Sequence, residues 1–172
     1  MQPSEALSAS AQLAVALAGF AGVVVAFRSG SIHEWSKIDK FRLRILLINS
    51  AIPFVLSVFA MLLSATPLNQ ERIWQVCSVM AFVTVTVVGQ QMSRGAGRFS
   101  PEEFRAAGST GVFYASSVIA IAVTLLQLYN AIKLKTFWPF FAEITTLLSL
   151  AMLQFVRLVL AGRDSGSQKS PP

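Results

Sequence analysis

Apolar residues run along this chain in five long blocks separated by short polar stretches. The blocks are Ala6–Phe27, Phe41–Ala65, Ile73–Met92, Thr110–Ile132 and Phe137–Ala161. A helix needs about 20 predominantly apolar residues to cross a hydrocarbon core ~30 Å thick, and each block supplies them. The pattern predicts an all-α fold, a polytopic membrane helix bundle of five transmembrane helices. It divides the chain into one membrane domain, 1–161, and a tail, 162–172. That tail is Ser, Gly, Pro and charge with nothing to bury, so it is expected to be disordered and cytoplasmic.

Within the first block, Ser10, Ala14, Ala18, Gly22 and Ala26 recur every four residues. Between membrane helices the attraction comes from close van der Waals packing, which rows of small residues permit. These five are therefore expected to form a close-packing seam against which the other helices assemble. Met1–Leu7 has no Lys or Arg and carries Glu5, so the block reads as a retained span rather than a cleaved signal.

Polar residues inside the later blocks also keep helical spacing. In the fifth, Glu143, Thr146, Leu150, Gln154 and Arg157 step by three or four, and in the fourth so do Ser117, Ala120, Thr124, Gln127 and Asn130. Polar groups in a bilayer face protein or water, so the two stripes are expected to face each other or to share an interior with the first span. The short connection between these spans makes them an antiparallel hairpin, which brings Gln127 and Glu143 to similar depth and predicts a hydrogen bond between them. Asn130 and Thr146 are placed to assist. In the second block Pro53 cannot donate to the carbonyl of Asn49, which frees that acceptor inside the membrane and makes Asn49 a further candidate.

Two connections contain S-x-x-E followed by an aromatic: Ser31–Glu34 with Trp35, and Ser100–Glu103 with Phe104. This is the capping-box pattern, and it predicts short cytoplasmic helical extensions ahead of the spans. A helix from Ile32 to Ser64 would be about 50 Å long, more than the membrane needs. No further residue-level repeat relates the two hairpins, so shared use of a common helix start is the simpler account.

Charge fixes the expected orientation. The chain has 14 Lys+Arg against 8 Asp+Glu, a net +6. In a soluble protein that excess suggests nucleic acid. Here the cations lie between apolar blocks, and no nucleic-acid partner is expected. Eleven of the 14 fall on the first and third connections and the C-terminal end, and three on the other side. The positive-inside rule then puts the N-terminus outside and the C-terminus in the cytoplasm of a plasma (inner) membrane. Lys37, Lys40, Arg42 and Arg44 form the densest cluster, read first as a topology signal beside an aromatic belt and second as a surface for anionic lipid, worth about 1 kcal/mol per residue.

Reactive chemistry is sparse. The chain has one cysteine, Cys77, and one histidine, His33, and it lacks phosphate-loop, serine-elbow and zinc-helix motifs. No catalytic residue, metal or cofactor is expected. The expected function is a non-enzymatic scaffold or subunit of a membrane complex that self-associates or joins other membrane subunits in the lipid bilayer. The alternative is a small ion channel or proton-coupled transporter with a polar path through Glu143, Gln154 and Arg157.

Overall fold

A computed structural model describes residues 2–27, 35–97, 99–100, 102 and 110–167. Helix α1 is Pro3–Phe27, α2 is Lys37–Ser64, α3 is Gln70–Ala96, α4 is Thr110–Tyr129 and α5 is Phe137–Ser167. Helix α4 continues into a π-helical turn, Asn130–Leu134. No strand occurs among the described residues, and the fold is an all-α bundle. Five helices are long and apolar enough to cross a membrane, the mark of an integral membrane protein.

Helix starts follow local chemistry. The side chain of Asn69 accepts from Arg72 N at 2.9 Å and caps α3. Ser36 does the same for α2, accepting from Asp39 N at 3.1 Å. This shortens the predicted extension from Ile32, because Ser36 has extended backbone (φ −56°, ψ 149°) and the helix begins at Lys37. Ser36 and Asp39 form their own cap nearer the apolar run. The Ser31–Glu34 box lies outside the described residues, as do Pro101 and Glu103 of the second box. At the other end of the chain, α5 runs on to Ser167 instead of stopping at Ala161. An established helix adds one hydrogen bond for each residue it fixes, and no proline interrupts it before Pro171. Residues 168–172 of the tail lie outside the described residues.

The helices pack up and down. Helix α1 lies on α2 and α5, α2 packs along α5, and α3 lies between α2 and α4. At one end of the bundle, the start of α2 meets the end of α3. There the Phe41 and Phe99 rings are 5.3 Å apart, and a Cβ on Gly95 would come within 3.3 Å of the Phe41 ring. This is the end that carries the basic connections, and it is called the basic end below.

The larger apolar core lies toward the opposite end and joins Leu7, Leu56, Trp74, Cys77, Phe140 and Leu147. Trp74 packs on Phe137 and Phe140 with ring centroids 5.0 and 6.3 Å apart. A smaller core of Ala21, Trp35, Leu46, Ala151 and Leu158 ties α1, α2 and α5 together near the basic end. Helix α4 enters neither core, and Gln127 is its one buried residue.

The small-residue row of α1 divides. Ser10 and Ala14 are buried, Ala18 is half-buried, and Gly22 and Ala26 are exposed. A Cβ on Gly22 would meet nothing within 4 Å. The buried stripe instead turns from Ala14 past Leu17 to Ala21. At 3.6 residues per turn, a row stepping by four drifts about 40° each step, so Ser10 and Ala26 end about 160° apart.

Candidate functional site: a polar knot and a cavity

The polar stripes of α4 and α5 serve two different structures. Toward the end away from the basic connections they make a closed knot, centred on Asn130. Asn130 is fully buried. Its Nδ2 donates to Ser78 Oγ at 2.6 Å and to the Thr136 carbonyl at 2.9 Å, while its Oδ1 accepts from Thr136 N at 3.1 Å. One side chain thus joins α3, α4 and the start of α5. The backbone is shaped to allow this. The Asn130 carbonyl accepts from Lys135 N at 2.8 Å, closing the π-turn, and Lys135 takes a left-handed conformation with φ 51°. Gln75 adds a second tie from α3, donating to the Ala131 carbonyl at 3.0 Å.

Gln127 and Glu143 are both buried in this region. The expected hydrogen bond between them is replaced by another. Gln127 Nε2 donates to the Pro139 carbonyl at 2.6 Å, one helical turn before Glu143. A π-turn winds more residues into each turn than an α-helix. It therefore draws Gln127 nearer the connection than an α-helical count places it. Gln127 Oε1 and both Glu143 carboxyl oxygens have no hydrogen-bond partner among the described residues. Thr146 gives its hydroxyl to the Ala142 carbonyl of its own helix at 2.7 Å.

Toward the basic end the same stripes open onto a cavity of about 700 Å³ between α2, α3, α4 and α5. It forms where α4, anchored at the knot, contributes nothing to the cores. Asn49, Gln154 and Arg157 line it, as do Ser117 and Thr124 of the α4 stripe. The last two turn their hydroxyls back onto the Phe113 and Ala120 carbonyls at 2.8 and 2.7 Å. Their polarity is spent within the helix, and the wall they present is largely methyl and methylene. Ile52, Val85 and Leu147 form the deep apolar end. Leu147 is one turn from Glu143, and Glu143 does not reach the lining.

The basic cluster of α2 also divides. Lys37, Lys40 and Arg44 are exposed, whereas Arg42 is buried, lines the cavity and pairs with Asp39 at 3.3 Å. Lys37, Lys40 and Arg44 share a face at spacings of three and four. Arg42 is about 200° around the helix from Lys40, which turns it to the interior. Arg94 of α3 joins Arg42 and Arg157 on the lining.

Ser78, Gln75, Asp39 and Arg94 were not singled out by sequence reasoning. The rule that flagged α4 and α5, that polar groups in lipid seek protein, applies equally to Gln75 and Ser78 three residues apart in the third span. Among the described residues no group of three or more His, Cys, Asp and Glu is placed to hold a metal ion. His33 lies outside the described residues. Compared with protein-family models, curated proteins and solved structures, the chain matches none of them.

Proposed function

We propose that this integral membrane protein is a non-enzymatic subunit or scaffold, which works by association within the bilayer rather than by conducting through Glu143. One observation supports this reading over a transport path. The cavity ends at Leu147, and Glu143 lies beyond it, fully buried. A proton or ion pathway needs a continuous polar or wetted route. Here the one carboxyl in the fifth span is separated from Gln154 and Arg157 by the apolar side chains of Leu147 and Leu150.

In this reading the N-terminus faces outward and the C-terminus the cytoplasm, which the asymmetry of eleven cations to three supports. The exposed length of α1 past Ala21, with Gly22 and Ala26, offers small residues to a second copy or to another membrane subunit. Reconstitution into liposomes with a pH-sensitive dye tests the choice. The expected result is no flux above protein-free liposomes for the wild type and for Glu143→Gln alike. A proton-dependent flux that Glu143→Gln abolishes, with the variant still folded, would overturn the reading in favour of a transporter.

A further inference from the structure

The cavity toward the basic end is polar inside as well as at its mouth. Arg42, Arg94 and Arg157 mark the outer end, where Asp39 pairs with Arg42 at 3.3 Å, so both signs of charge occur there. Further in, the side chains of the lining are uncharged. At about 1.5 Å per residue, Gln154 lies about 4.5 Å inside Arg157, Asn49 about 10 Å inside Arg42 and Thr86 about 12 Å inside Arg94. These three come from α5, α2 and α3, and all line the space. Gln154 is only 7% exposed, yet neither its carboxamide nor that of Asn49 makes a hydrogen bond to another described residue. A buried polar group without a partner bears the cost of leaving water and recovers none of it. Beyond these groups Ile52, Val85 and Leu147 close the space, about 10 Å past Gln154 along α5. A volume of about 700 Å³ falls within the range of sites that enclose one small molecule, which suits one lipid chain rather than two.

We propose that this cavity binds an uncharged single-chain lipid whose polar end both donates and accepts hydrogen bonds, as a glycerol monoester does. The polar end lies between Asn49 and Gln154, and the chain runs along α4 toward Leu147. A carboxamide offers two N–H donors and a carbonyl acceptor, so a pair of them matches a head bearing hydroxyl and ester groups rather than a bare hydrocarbon. Charge is disfavoured at that depth. An ion taken past the mouth loses its water and meets no ionised side chain on the inner lining. The hydroxyls of Ser117 and Thr124 are already bonded within α4, so that wall presents carbon to the chain. This goes beyond the subunit reading and holds whether or not a partner chain is bound.

Photo-crosslinking of the full chain in lipid nanodiscs tests it, with two probes that share one chain carrying a diazirine near its far end. One probe is a monoacylglycerol and the other the corresponding fatty acid. The monoacylglycerol should label peptides containing Leu125 or Leu147, and excess unlabelled monoacylglycerol should abolish that labelling. The fatty acid at equal concentration should label the same peptides about tenfold less. The double variant Asn49→Leu, Gln154→Met keeps the side-chain volumes and removes both carboxamides. It should lower monoacylglycerol labelling about tenfold, the value of two neutral hydrogen bonds. Its unfolding temperature should not fall, because the groups removed have no partner in the protein. Ala120→Trp fills the cavity from α4 and should reduce labelling by both probes. The double variant Lys40→Gln, Arg44→Gln alters only the outer basic face and should label like the wild type. In the wild type alone, monoacylglycerol labelling that excess lipid does not compete away overturns the proposal. So does equal or stronger labelling by the fatty acid, which would place an anion at the arginines instead. Undiminished labelling of the folded carboxamide variant or of folded Ala120→Trp overturns it as well.

Discussion

Replacing Asn130 with alanine removes the side chain that holds three helices at one end of the bundle. Four hydrogen bonds disappear: to Ser78 Oγ, to the Thr136 carbonyl, from Thr136 N and, at 3.4 Å, from Thr136 Oγ1. Hydrogen bonds between membrane helices average about 0.6 kcal/mol each, so their direct loss is about 2 kcal/mol. Ser78 is fully buried and loses the partner its hydroxyl had, which adds about 1–2 kcal/mol. The expected cost is therefore about 3–4 kcal/mol. Reversible unfolding of the purified protein in mixed detergent micelles would measure it, with Ser78→Ala and the double variant completing a cycle. The cycle should show a coupling of about 1 kcal/mol between Asn130 and Ser78, since residues in one network are not additive. If Asn130→Ala lies within about 0.5 kcal/mol of the wild type, the knot does not hold the bundle and the argument from buried polar satisfaction fails.

Two other substitutions separate packing from sequence pattern. Ala14→Leu forces bulk into a fully buried position and should cost about 1–3 kcal/mol, while Gly22→Leu meets open space and should leave the stability of the single chain unchanged. The same unfolding titration reads both, and a change in assembly size for Gly22→Leu alone would assign the far half of the α1 row to contacts between chains. Lys135→Gly should raise stability by about 1 kcal/mol, because Lys135 holds a left-handed conformation that glycine adopts without strain. A loss of stability instead would mean that the lysine side chain contributes more than its backbone costs.

The five spans were legible from hydropathy because each is a separate block of the right length. The burial of Gln127 and Asn130 against protein was legible too, because a polar side chain in a bilayer must find protein or water. Their partners were not. The π-turn and the left-handed Lys135 set which groups meet, and no local signal in Asn130–Lys135 announces either. The α1 row misled for a geometric reason: four-residue spacing looks straight on paper and winds around a 3.6-residue helix. Arg42 was grouped with Lys40 and Arg44 by proximity along the chain, although helical phase sends it to the opposite side. The cavity was illegible for a different reason. It exists because α4 is anchored at one end and stands away from the cores, a property of the whole bundle rather than of any segment.

The division of the interior into a sealed knot and an open cavity is tested most directly by thiol accessibility. In a Cys77→Ala background, single cysteines would replace Gln154 and Glu143 in protein held in nanodiscs, where both faces meet solvent. Each would then be exposed to a membrane-impermeant maleimide. Gln154 lines the cavity and Glu143 is fully buried beyond it. Labelling is expected at position 154 and not at position 143 over the same period. Comparable labelling at both positions would show that position 143 is not sealed from water and contradict the account.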